Sequence, residues 1–419
     1  MILISFRHRS LQISRHRVKT MATSSPIFPE TRDIVVIGGG IIGCTTAYYI
    51  TRHPSFRPNG RPDTLTILES DEVAGAASGK AGGLVATWAY PSELAQLSYS
   101  EHEALAQEHR GSERWGYRVV ECGTWEGRGL SDHSGDQQER QMQGPHGGQA
   151  APHRTKRKLP EDLHWLREDL TKSWSPFRGA TAQVHPRLFT QVMSELAQGS
   201  GASLVRGRAQ RVVSDKSQTV TGVELEDGRT LPATQVVVAA GPWAPRIAGF
   251  PRLPIDASRA HSITIEPTEP VSAHCIFTDI SMPNRGGKAE PEIYCRPSGE
   301  VYACGGGPKV QLPNSSAEVQ VDAAWCDALF AQVGAISPAL ANGKITGRQA
   351  CYLPSVTHSS NPLVGPVPGY TGLFVGVGHT CWGICNAPGT GKVLAEWVLN
   401  GHLAKASGLE SLMGLVPEA

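Results

Sequence analysis

DIVVIGGGIIG, residues 33–43, joins a short apolar run to a cluster of glycines, and the residues around it decide what fold begins here. The β-branched run from Asp33 to Ile37 reads as a buried strand. A glycine turn follows, and the apolar residues from Ile41 to about Arg52 continue as a helix that Pro54 ends. Leu65-Thr66-Ile67-Leu68 supplies a second strand closing on Glu69. Strand, glycine turn, helix, strand and terminal acid form the order of a dinucleotide-binding unit. In that unit Gly38 permits the tight turn and Gly40 lets a pyrophosphate approach the backbone, with Ile41 and Ile42 opening the helix beside it. Gly43 allows helix to pack on strand, and Glu69 accepts from ribose hydroxyls. Ser70, Asp71 and Glu72 come next without an arginine, which disfavours an extra ribose phosphate.

Nicotinamide and flavin dinucleotides share this turn, so the choice between them rests on the residues beyond the second strand. Residues 74–84, AGAASGKAGGL, are almost all small: around Lys80, the residues Ser78, Gly79, Ala81, Gly82 and Gly83, with Leu84, let backbone lie against a long cofactor, which favours FAD. A third strand, Val236–Val238, runs into Ala240, Gly241 and Trp243. A fourth, Leu373–Val377, runs into Gly378, His379, Trp382 and Gly383.

At these four junctions the sequence resembles the D-amino acid oxidase, glycine oxidase and sarcosine oxidase family of FAD-dependent oxidoreductases, and within it the fungal branch. The resemblance runs from about residue 33 to about residue 403, apart from one insertion. It implies an α/β fold: a Rossmann-like FAD-binding domain assembled from segments 31–100, 180–255 and 345–405, and an α+β substrate domain on an antiparallel sheet, residues 101–179 and 256–344. It further implies that Ala209, in a strand pair within Ala202–Val213, lies near adenine. The loop Gly378–Gly383 and the helix beyond Pro388 would face the pyrimidine side of the flavin ring, where a helix dipole stabilises the charge of reduction. Cys351 lies near the position where sarcosine and fructosyl-amine oxidases tether FAD through a thioether.

The implied chemistry is hydride transfer from the carbon beside an amine to flavin N5, with oxygen or another acceptor reoxidising the ring. In this family an arginine typically clamps the substrate carboxylate; here Leu353 stands at its position, and Arg348 upstream becomes the candidate. Trp382 replaces a basic residue of sarcosine oxidases, and the residue near Gly82 is small. Lys80 is then a second candidate cation, and the expected substrate is a small amine recognised partly by aromatic or apolar contacts. His379 reads as a structural loop histidine donating to backbone. Two alternatives stand beside the amine oxidoreductase: an FAD-binding redox-sensing or interaction module with little turnover, and a nicotinamide dehydrogenase.

GTGK within residues 385–398 has the look of a nucleotide-hydrolase phosphate loop, but Asn386 stands where its first glycine belongs and Val393 where its hydroxyl belongs. The reading that survives is a glycine-rich loop opening a helix. The chain is 40% hydrophobic with a formal charge of +1, so no overall field recruits nucleic acid, and no apolar run approaches the ~20 residues of a membrane span. Nine scattered cysteines fit reduced intracellular thiols; Cys381 and Cys385 lack a second pair, so no metal site is expected. Residues 1–30 are basic and serine-containing, a disordered extension upstream of Met21 or a mitochondrial presequence, which leaves the compartment cytoplasmic or mitochondrial. Residues 126–160 are polar and aperiodic, a disordered insertion. Glu93–His109 and Leu159–Leu170 read as helices, and residues 292–305 as a hairpin turning at Ser298-Gly299.

Overall fold

The computed structural model describes residues 31–130, 159–283 and 287–403, with 412 and 417. The basic extension 1–30 lies outside the described residues, as do residues 131–158 of the expected insertion. The start of that insertion is structured: residues 126–128 end the strand Glu121–Arg128, where Glu126 accepts from Lys172 Nζ at 2.6 Å and Ser173 Oγ at 3.0 Å.

β1 (Asp33–Ile37), α1 (Ile41–Arg52) and β2 (Thr64–Glu69) form as the glycine spacing predicts. β1 runs parallel to β2 on one side and to Gln235–Val238 on the other, and Gln235–Val238 runs parallel to Leu373–Val377. Ser203–Arg206 and Leu363–Pro366 complete a six-stranded sheet whose neighbours come from opposite ends of the chain. Strands covered on both faces must be apolar throughout, hence the fully buried Val36, Ile67 and Val236–Val238. A Cβ on Gly43 would lie 1.9 Å from Gly38 O, so only glycine lets α1 leave the turn at this angle.

The C-terminal helix corrects the reading of GTGK. It spans Gly383–Asn400 and passes through Pro388 instead of starting beyond it. Gly389 and Gly391 are contact points: a Cβ would come 2.5 Å from Ser98 Oγ at the first and 2.7 Å from the Thr45 backbone at the second. The ring of Pro388 leaves the Ile384 carbonyl without its helical donor, and His102 Nε2 donates to it at 3.0 Å. Burial pushes His102 down to about 4, so this ring stays neutral.

A second sheet runs in the order Lys344–Val356, Ile255–Glu266, Val301–Gly305, Glu292–Cys295, His274–Ser281, Glu121–Arg128, Thr171–Pro176. It is antiparallel except where His274–Ser281 runs parallel to Glu121–Arg128. The hairpin forms as expected, with Gly299 at φ +86°. Lys344–Val356, expected with the cofactor segments from residue 345, pairs with Ile255–Glu266 along its length. One face of this sheet packs Ile263, Ile276, Ile293 and Val301 with Leu329 of the helix Ala323–Gly334. The other presents Cys275, Phe277, Tyr294, Tyr302 and Cys304 toward the loop that carries Ala81. Ser92–Glu108 is helical as read, but Leu159–Leu170 is not: it holds two short turns, Glu161–Leu163 and Glu168–Leu170. Leu163 and Trp165, two residues apart, are both fully buried, and the Arg167 N–H is spent on Ile336 O at 2.9 Å. A helix would put those two side chains on different faces.

Candidate active site

A cleft of about 540 Å³ opens at the carboxyl ends of the parallel strands, where the topology of such sheets places ligands. Gly38, Gly40, Ile41, Ile42 and Glu69 line its first wall, and Ser78 and Ala81 extend it. Ala209, Ala240, Gly241 and Trp243 supply the nucleotide side; Gly378, His379 and Gly383 close the far end.

Gly38 takes φ +116°, and a Cβ there would strike Ala239 O at 2.4 Å, so the first glycine is fixed by strand packing. Gly40 differs: an added Cβ would meet only Ser78 Oγ, at 3.2 Å, leaving its cleft side open. Gly241, at φ +52°, has nothing within 4 Å. Glu69 Oε2 accepts from Gly39 N at 2.6 Å and Oε1 from Asp71 N at 2.8 Å, which pins the carboxylate at the cleft wall where a ribose would sit. Ser78 Oγ accepts from Ile41 N at 2.9 Å and ties the small-residue loop to the start of α1.

The same end holds residues the sequence did not disclose. Arg208 and Glu226 line it as a pair at 3.6 Å, with Gln210 beside them. Asn314, Ser315 and Ser316 line it from a strap, residues 306–322, that arrives from the second sheet. Trp243 Nε1 donates to Pro313 O at 2.9 Å, and Arg246 donates to Leu312 O at 2.6 Å and to Pro313 O at 2.8 Å. Ser316 donates to Asp71 Oδ2 through its N–H at 2.9 Å and its hydroxyl at 2.7 Å. No local motif encodes this strap, because its partners lie far off in sequence.

At the far end His379 is buried, its Nε2 3.0 Å from Thr390 Oγ1, so its structural partner is a hydroxyl and not backbone. Burial drives its pKa down to about 3, which leaves it neutral. Trp382 is buried just before the C-terminal helix, edge-on to Trp88 at 5.5 Å and near Tyr90 at 5.8 Å. Leu353, Pro354, Thr380, Cys381 and Ile384 complete the lining here.

Several expected residues stand behind the cleft instead of on it. Gly79 and Gly83 make close backbone approaches, with Cβ positions 2.0 Å from Ala74 O and 1.9 Å from Val184 O, while Leu84 begins a short strand to Ala86. Gly82 lies flat on the Tyr294 ring, its Cβ position 2.7 Å away. Lys80 is half-buried beside Cys351, and its carbonyl accepts from Tyr302 Oη at 2.8 Å; burial lowers the ammonium and raises the Cys351 thiol to about 11. Arg348 is a correction. Its Nη2 donates to Asp327 Oδ1 at 2.6 Å in an exposed ion pair. Strand alternation puts position 348 on the face opposite Cys351 and Leu353, so its side chain leaves toward the helix Ala323–Gly334. Cys385, half of the C-x3-C pair, meets Ala86 N and O at 3.3 and 3.5 Å, and none of the nine cysteines is in a disulfide.

A glycine turn with one side open, a ribose-facing acid and a long cleft ending at a helix start together fit FAD. A family model for FAD dependent oxidoreductases matches residues 33–397. The chain belongs to that family. This oxidoreductase is 32% identical to TDA3 of Saccharomyces cerevisiae, over 90% of this chain and 93% of that protein. It is also 32% identical to C1F5.03c of Schizosaccharomyces pombe, over 90% of this chain and 97% of the other. Among solved structures, iminodiacetate oxidase from Chelativorans sp. BNC1 superposes with a TM-score of 0.67 at 22% identity, covering 92% of this chain and all of that one. No helix among the described residues is long and apolar enough to cross a membrane.

Proposed function

We propose that this FAD-dependent oxidoreductase oxidises a small amine whose recognition does not depend on a carboxylate, with oxygen as the final acceptor. The observation that carries the reading is the far end of the cleft: Ala81, Leu353, Pro354, Thr380, Cys381 and Ile384 line it, and among the described residues no arginine or lysine does. The structural likeness to an iminodiacetate oxidase supports amine chemistry by fold alone. Bound FAD supplies the acceptor for a hydride from the carbon beside the amine. The chain supplies position. The Gly38–Gly43 turn and Glu69 hold the nucleotide, and the first turn of the Gly383–Asn400 helix directs unpaired N–H groups and its positive end at the far wall. His379, neutral and bonded to Thr390, fixes the Gly378–Gly383 loop and exchanges no proton near neutral pH. Trp382 and Trp88 pack edge-on at 5.5 Å behind the lining residues Cys381 and Gly383.

The test is the visible spectrum of the purified protein, followed by anaerobic addition of a panel of primary and secondary amines with and without carboxylates. Loss of the flavin band with carboxylate-free amines supports the proposal. A yellow protein that no amine bleaches replaces it with a redox-sensing or interaction module.

A further inference from the structure

Between the strand Val301–Gly305 and the helix Ala323–Gly334, the strap of residues 306–322 leaves the second sheet and crosses the nucleotide end of the cleft. Its two ends stay together. His261 Nε2 accepts from Asp322 N at 3.2 Å, and the Cβ position of Gly307 lies 2.8 Å from His261 Nδ1. Nearer the middle, Tyr352 Oη donates to Gln311 O at 3.1 Å and Arg259 donates to Gln320 O.

The tip of the strap is held from both walls of the cleft. On one wall Arg208 Nη1 donates to Asn314 O at 3.1 Å, beside the bonds from Trp243 and Arg246 to Pro313 and Leu312. On the other, Ser316 is bonded to Asp71, two residues beyond Glu69, and its Oγ lies 3.3 Å from the Cβ position of Gly75. Ser315 stands between these anchors. It lines the cleft and is only 6% exposed, yet among the described residues its hydroxyl has no hydrogen-bond partner. A hydroxyl withdrawn from water and left unpaired costs about 1–3 kcal/mol, so a buried one that faces a cleft calls for a ligand atom.

The surroundings say which part of the cofactor that is. Glu69, pinned where a ribose would sit, and Asp71 stand on one side, and the Arg208–Glu226 pair stands on the other. Two carboxylates this close to the opening repel a phosphate and suit an uncharged nucleoside. We propose that Ser315 is a cofactor-binding residue: its hydroxyl hydrogen-bonds the adenosine half of FAD, and the Ser316–Asp71 pair holds the strap in place for that contact. The proposal does not draw on the amine-oxidation reading, and its test needs no substrate.

Holoprotein diluted to nanomolar concentration releases FAD, and the flavin fluorescence that returns at equilibrium gives the dissociation constant. Ser315→Ala is expected to weaken FAD binding at least about 3-fold, the worth of one hydrogen bond, with the visible flavin band and the far-ultraviolet circular dichroism of the holoprotein unchanged. Ser315→Gly should match it, since both remove the same hydroxyl. A smaller loss of affinity in the folded variants overturns the proposal. A shifted visible band does so too, because it puts the hydroxyl beside the flavin ring and not beside adenosine. Failure of both variants to fold also counts against it: a chain that needs this hydroxyl to fold spends it on packing.

Discussion

At the nucleotide end of the cleft the ligand-facing surface is the backbone of the Gly38–Gly43 turn and of Ala240-Gly241, steadied by Glu69 and Ser78. At the far end, Ala81, Leu353, Pro354, Thr380, Cys381 and Ile384 come from three separate segments. The first end depends on where a Cβ is absent; the second depends on which residues sheet register brings opposite one another. A backbone site tolerates almost no change at its glycines, while a side-chain site can change its ligand by changing one residue and leave the cleft standing.

The sharpest way to break this comparison lies within the turn. Gly40→Asp adds a carboxylate on the open side of the turn, facing the place of a pyrophosphate, and should yield folded, colourless protein. Flavin content by absorbance at purification checks it, and full retention would show that this turn does not face the cofactor. Gly43→Ala should instead cost about 3 kcal/mol of stability, because its Cβ has nowhere to go, with flavin still bound by whatever remains folded.

Acid probes the other end. His102 and His379 titrate at about 4 and about 3 in the folded protein, against an unfolded value of 6.5. The unfolded chain therefore takes up protons first, and stability is lost as pH falls below about 6.5, by about 1 kcal/mol per pH unit for each ring. Thermal midpoints between pH 7 and 5 measure the slope; burial also pushes His185 and His261 down to about 4, so His102→Gln should lower it by no more than about a quarter. A flat profile would mean that these rings become solvated before the helix lets go.

The smallest effect belongs to Arg348. Its partner Asp327 is exposed and so is Arg348 itself, so Arg348→Ala should change stability by at most about 0.5 kcal/mol and leave the rate of flavin reduction by the best amine unaltered. A marked fall in that rate would bring Arg348 back into the site and erase the contrast between the two faces of its strand.

The parts of the fold that are legible in the sequence are those written in local rules. Glycine spacing discloses the turn, β-branched runs disclose the buried parallel strands, and the Ser298-Gly299 hairpin follows from its turn residues. The failures share a cause. A glycine that spares a Cβ in a turn, such as Gly378 at φ +84°, reads in sequence like one that lets two helices touch, such as Gly391. Counting along the chain puts Arg348 near the site, but the strand's alternation decides which face a residue serves. The strap carries no signal at all, because its meaning lies entirely in partners from elsewhere in the chain.

That strap has a bearing on the order of assembly. Residues 306–322 leave the strand Val301–Gly305 of the second sheet and end at the helix Ala323–Gly334, and Asp71, Trp243 and Arg246 fasten their middle across the nucleotide end of the cleft. A cofactor seated beneath a fastened band is enclosed by the chain's own late tertiary contacts. Insertion of a cofactor would then be easiest before the two sheets are laced together, and its release would call for local opening of those contacts.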